Sequence, residues 1–192
     1  PSGESAMSLH VTAEVLTTKR VGAFQHLSLL APGVAERFRP GTFVAVSLPG
    51  ARLARRSLWI AKVQPIAGYG AAIGVVVDPV GVGGEEIAAL RRGDRLPLTG
   101  PLGRPFALPR EPVAALLVGE GYAAAMLTPL AERLHERGCA VSFLLGAAGE
   151  SRLLPDGDAR RLASTITVAT ADGSVGHAGD LASLVPEALR RT

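Results

Sequence analysis

The feature that most limits what this chain can fold into is a change of hydrophobic rhythm near residue 110. Up to about Leu98 the apolar residues come in short, mostly alternating runs: Leu9–Thr17, Ala23–Leu30, Thr42–Leu48, Ser57–Val63, Ala71–Val77 and Arg95–Leu98. A period of two places one face of a strand in a core and the other in water. Turn chemistry separates the runs, at Ala31-Pro32-Gly33, Arg39-Pro40-Gly41, Pro49-Gly50 and Ala67-Gly68-Tyr69-Gly70. Short strands punctuated in this way predict a small six-stranded antiparallel β barrel, because closure removes the exposed edges that such strands would otherwise present. One short helix is expected inside it, over Gly84–Leu90, opening on Glu85-Glu86 and closing at Arg91-Arg92-Gly93.

Past a Gly- and Pro-rich linker, Gly100–Pro112, the pattern becomes a solid apolar run, Val113–Val118. A helix carrying Leu127, Leu130, Ala131 and Leu134 on one face follows and stops at Gly138. Val141–Leu145 and Thr165–Thr170 read as two further strands, and Asp180–Arg191 as a last helix with Asp180 as N-cap and Pro186 as a kink or a new start. Strand, helix, strand in this order predicts a truncated parallel α/β sheet of three strands. The expected domains are 8–109 and 110–192, with residues 1–6 an expression remnant ahead of a start at Met7.

Composition removes several classes of function. Twenty basic and 17 acidic residues give a formal charge of +3, and the basic ones are dispersed, which speaks against nucleic acid. The single cysteine, Cys139, excludes an intramolecular disulfide and any all-protein cysteine cluster. No apolar run reaches the roughly 20 residues of a spanning helix, so no membrane is expected and the compartment reads as cytoplasmic. His10, His26, His135 and His177 are scattered without a ligand spacing, so no metal is expected, and no nucleophile elbow occurs.

The order of a barrel and then an α/β domain, together with Arg39-Pro40-Gly41-Thr42-Phe43-Val44, Leu53-Ala54-Arg55-Arg56-Ser57-Leu58, Gly100-Pro101-Leu102-Gly103-Arg104-Pro105-Phe106, Leu116-Leu117-Val118-Gly119 and Ala171-Asp172-Gly173-Ser174-Val175-Gly176, resembles the ferredoxin-reductase-type flavoproteins. Within them it looks most like the electron-transfer subunit of dihydroorotate dehydrogenase. The resemblance implies an FAD-domain-like barrel and an NAD-domain-like second domain. It implies that Arg56, Ser57 and Leu58, with Gly81, Gly83 and Gly84, stand where the family binds FAD.

Several positions depart from the family's pattern. Trp59 stands where the motif carries a hydroxyl near the reactive ring nitrogen, and an indole there takes much of the ring's own space unless it turns outward and packs. Gly84 stands where a Thr or Ser hydroxyl meets phosphate. Glu120, in Gly119-Glu120-Gly121-Tyr122-Ala123-Ala124-Ala125-Met126, puts a carboxylate where a dinucleotide pyrophosphate belongs. The chain ends at Thr192, before the family's closing strand and before the cysteines that bind an iron–sulfur cluster in similar proteins.

These departures lead to the expectation of a cofactor-independent enzyme, a cyclase of bacterial natural-product (antibiotic) biosynthesis. It would fold an apolar, polyketide-like small molecule in a vacated flavin cleft by orientation alone. Trp59, Tyr122 and Arg56 are its expected catalytic residues, and Leu58, Met126 and Glu120 its substrate-binding walls. One alternative is an FAD-dependent NAD(P)H oxidoreductase or electron-transfer subunit. Another is a non-catalytic binding or assembly protein, and a homodimer is compatible with each.

Overall fold

The computed structural model describes residues 8–48, 55–68, 70–154 and 159–192. The turn expected at Pro49-Gly50, the motif residues Leu53 and Ala54, the turn residue Tyr69 and the expected remnant 1–6 lie outside the described residues. Two compact units are present. One comprises the described residues up to Lys19 together with Gln25–Pro105, and the other Arg20–Phe24 with Phe106–Thr192.

The first unit is the expected closed six-stranded antiparallel barrel, with strands β1 (Leu9–Val21), β2 (Phe24–Leu30), β3 (Phe43–Ser47), β4 (Arg55–Ile66), β5 (Gly70–Val77) and β6 (Arg95–Leu102). They close in the order β1-β2-β5-β4-β3-β6. The alternation seen in the sequence is realised strand by strand: Val44 and Val46 on β3, Leu58 and Ile60 on β4, and Ile73, Val75 and Val77 on β5 meet in one core with Leu27, Leu29, Leu96 and Leu98. Removing each such side chain from water contributes about 1.5–3 kcal/mol. The residues between them face outward.

Helix α1 (Gly81–Ala88) packs on this core through Ile87, which is fully buried with Leu58 and Ile60. It starts three residues earlier than expected. Gly81, Gly83 and Gly84 therefore form its first turn, and that turn carries no acidic residue. Gly81 has φ +70°, a conformation that disfavours any side chain and fixes the entry into the helix.

In the second unit, β7 (Ala114–Glu120), β8 (Ala140–Ala147), β9 (Thr165–Thr170) and β10 (His177–Ala178) form a parallel sheet in the order β10-β9-β8-β7. The expectation of three strands missed β10, whose two residues are too few to show a period. A 3₁₀ segment (Gly121–Met126) leads into α2 (Leu127–Glu136), whose Leu127, Leu130, Ala131 and Leu134 are buried against Val141 and Phe143 of β8. Cys139 lies in the same core. The short α3 (Ala159–Leu162) is a further addition. The last helix is split: Leu181–Leu184 is 3₁₀ with Asp180 capping the Ala182 N–H at 2.9 Å, and Pro186 sits in the first turn of α4 (Val185–Arg191), where its missing N–H costs nothing. No described helix is long and apolar enough to cross a membrane.

Candidate functional site

Strand β4 and helix α1 bring together the two glycine- and arginine-bearing segments singled out in the sequence. A Cβ placed on Gly83 would lie 2.9 Å from Arg56 Nη2 and 3.0 Å from its Cζ, so the guanidinium rests directly on the first turn of α1. The N-cap residue, Val80, makes no side-chain hydrogen bond to that turn. The first-turn N–H groups of a helix have no intrahelical partners and carry its positive end. An exposed arginine and such a turn form a cradle for an anion, and the position of the guanidinium requires glycine at 83.

The absence of a hydroxyl at residue 84 has a local cause. A Cβ on Gly84 would stand 2.5 Å from the Asp78 carbonyl oxygen and 3.4 Å from the carbonyl carbon of Pro79. The turn is built around a bare backbone there, so a threonine would force it apart.

Leu58 and Trp59 separate to opposite faces of β4. Leu58 is 4% exposed and belongs to the barrel core, so it is a packing residue and not the expected substrate wall. Trp59 faces outward, half-buried, opposite Phe43 in the β3–β4 ladder. Their rings meet edge to face, with centroids 5.7 Å apart and planes at 76°. The indole therefore packs on the outer wall, and Ser57, exposed, faces the same way opposite Ala45.

Glu120, Tyr122 and Met126 belong to the second unit, at the end of β7 and on the 3₁₀ segment that follows. Glu120 is exposed and makes no capping bond. Tyr122 is half-buried. Met126 packs against the core of α2 and β8, which accounts for it without a ligand. Gly119 is required by packing: a Cβ there would be 2.6 Å from Leu127 Cδ1 and 3.0 Å from Ala124 Cα.

The Ala171–Gly176 motif is a knot that ties the end of β9. Asp172 Oδ1 accepts from the Ser174 N–H (2.9 Å) and hydroxyl (2.6 Å), while Ser174 Oγ accepts from the Glu150 N–H at 2.9 Å. Bonds from Ser174 hold the Asp172 carboxyl below its ordinary range. Thr170, fully buried, donates to the Val175 carbonyl at 2.8 Å and accepts from its N–H at 3.0 Å. Sequence reasoning quoted this motif for its resemblance and missed its structural work, which a Thr-x-Asp-x-Ser spacing suggests. No group of three or more metal-ligating side chains occurs among the described residues.

Comparison with known proteins agrees with this architecture. No family model matches the chain. The electron transfer subunit of dihydroorotate dehydrogenase B (NAD(+)) from Desulforamulus reducens is 33% identical over 163 residues, covering 84% of this chain and 60% of that protein. The subunit of the same name from Bacillus velezensis is 34% identical over 152 residues, covering 77% and 58%. A solved structure of an NADH-dependent reduced ferredoxin–NADP oxidoreductase, studied for flavin-based electron bifurcation, superposes with a TM-score of 0.80 at 26% identity, over all of this chain and 66% of that one. The chain belongs to the ferredoxin-reductase-type flavoprotein superfamily. It spans about three-fifths of the length of these curated relatives.

Membership corrects two expectations. The cofactor-independent cyclase is overturned, because the similar proteins are named as electron-transfer subunits and reductases; the catalytic roles given to Trp59, Tyr122 and Arg56 lose the reaction they were assigned to, and nothing supports an apolar substrate. The expectation of no cofactor is overturned as well, because the superfamily is one of flavoproteins and the similar solved structure is described for flavin-based electron bifurcation. Of the two readings of Trp59, the structure shows the outward one, with the indole packed on Phe43, and the Arg56 guanidinium lies beside Gly83.

Proposed function

We propose that this chain binds FAD on its barrel and serves as an electron-transfer component of a flavin-dependent oxidoreductase, drawing electrons from a reduced nicotinamide nucleotide and delivering them to a partner protein. The observation that carries the reading is the Arg56 guanidinium on the first turn of α1, with Gly83 keeping the space it needs. A pyrophosphate fits this place on charge and on hydrogen bonding, since it takes donors from both the guanidinium fork and the helix N–H groups. Gly81 and Gly84 shape the turn, Leu58 anchors β4 in the core, and Ser57 and Trp59 line the outer wall beside it. When bound, FAD would supply reversible one- and two-electron chemistry, which no side chain of the protein provides.

The delivery half of the proposal draws on the relatives, which are named as electron transfer subunits. The source half is weakened by Glu120, whose exposed carboxylate at the tip of β7 opposes a dinucleotide phosphate in the second unit.

Titrating the full chain with FAD, followed by flavin fluorescence and by retention on ultrafiltration, tests the reading. Saturable one-to-one binding that weakens when Arg56 is changed to Ala supports it. A chain that retains no flavin at millimolar FAD refutes it.

A further inference from the structure

Trp59 brings to this site a group that the superfamily's motif does not contain. Arg56 and Trp59 lie on the same strand, three residues and so about 10 Å apart. Their side chains leave β4 on opposite faces, Arg56 toward the first turn of α1 and Trp59 onto the outer wall. The β4–β5 ladder begins only at Ile60, so beside Arg56–Trp59 the registered partner strand is β3 alone. A long ligand anchored by its phosphates at Arg56 can therefore run along this stretch of β4 and reach the indole.

The indole is also held in place. Phe43 meets it edge-on from the neighbouring position of β3, and Phe43 is itself backed by Gly103, whose φ is +89° and where a Cβ would come within 2.9 Å of the phenyl ring. Nothing in the barrel core requires this pair, because Leu58 and Ile60 on one strand and Val44 and Val46 on the other already fill the inner face. In a chain with 4% aromatic residues and one tryptophan, two rings are spent on the outer wall next to the anion cradle.

We infer that Trp59 is the ring-recognition residue of the flavin site, gripping the isoalloxazine by aromatic contact where the superfamily's motif uses a hydroxyl. The inference rests on the FAD reading of the Arg56–Gly83 cradle. It assigns the two ends of the ligand to different residues: phosphate to Arg56 and α1, ring to Trp59. Hydrogen-bond recognition of one ring atom is thereby exchanged for contact with the ring's face or edge, which is less demanding of position.

The separation of the two ends makes the test. Affinities of FAD and of ADP, which carries the diphosphate but no flavin ring, are measured by calorimetry on the full chain and on its Trp59→Ala and Trp59→Phe variants, with ADP checked for competition against FAD. The expected result is that Trp59→Ala weakens FAD about tenfold or more while leaving ADP unchanged, and that Trp59→Phe retains most of the FAD affinity. Equal losses for FAD and ADP in Trp59→Ala, or FAD binding that is unchanged or stronger, would overturn the inference and leave the FAD reading standing. If the unaltered chain binds neither FAD nor ADP, the FAD reading itself falls and this inference goes with it.

Discussion

The Arg56 guanidinium lies against the backbone of Gly83 so closely that a methyl group at that glycine would stand 2.9 Å from Nη2. Glycine at 83 is thus a condition for where the arginine points, and residue 83 controls the site without touching a ligand through a side chain. Gly83→Ala is expected to turn the guanidinium away and to weaken FAD binding about ten- to a hundredfold, the equivalent of one charge-assisted hydrogen bond. Its thermal midpoint should change little, since Arg56 is exposed and contributes little to the core. Parallel flavin titration and thermal unfolding check both statements.

Glu120 makes a second, separable prediction. Its carboxylate is exposed at the end of β7, at the entry to the 3₁₀ segment. Replacing it by Gln removes one negative charge at nearly constant shape. Because solvent screens an exposed charge, the gain in NADH affinity is expected to be modest, about three- to tenfold, and to shrink as salt is raised. Fluorescence titration of NADH at low and high ionic strength checks it. An affinity that does not respond to the substitution would place the dinucleotide elsewhere.

Most of the barrel was legible because its strands alternate cleanly, and closure follows once six of them need partners. Less legible was which face a given residue takes when neighbours in the motif have different tasks. Leu58 and Trp59 are adjacent, and expecting one as a wall and the other as a catalytic residue of the same cleft ignores that consecutive strand residues point oppositely. The sequence suggests a later start of α1 because glycine is a poor helix former, whereas Gly83 and Gly84 are demanded by close approach to Arg56 and to the Asp78 carbonyl, and Gly81 by its φ of +70°. Such tertiary demands leave no periodic trace.

The Asp172–Ser174 knot predicts acid sensitivity of the second unit. Hydrogen bonds from Ser174 lower the Asp172 pKa from the ordinary 3.8. A carboxylate whose pKa is depressed on folding contributes stability above its unfolded value, and that contribution is lost as pH falls through the lower, folded value. The loss therefore belongs below about pH 4. Ser174→Ala removes the hydroxyl bond to Oδ1 and leaves the backbone N–H bond in place, so it should reduce the pH dependence in that range without abolishing it. Denaturant midpoints of the two proteins between neutral pH and pH 3 give the comparison.

His26 predicts a second effect, in a different window. It sits half-buried on β2 opposite Val76, and its Nε2 is enclosed without a hydrogen-bond partner. Burial first, and then the positive charge of Lys19, lower its pKa from 6.5. The folded state thus prefers the neutral ring, while the unfolded chain takes up a proton as pH drops past 6.5. Between the two values the unfolded state binds more protons, so barrel stability is full above the unfolded pKa and declines as pH falls toward the folded one. His26→Gln keeps a polar side chain of similar reach with no titration, and should remove this decline. Lys19→Gln should reduce it only in part, since charge is the smaller of the two causes. Thermal midpoints of the three proteins from pH 8 to pH 5 decide the matter: parallel curves for the His26→Gln variant and the unaltered chain would show that the decline comes from other groups.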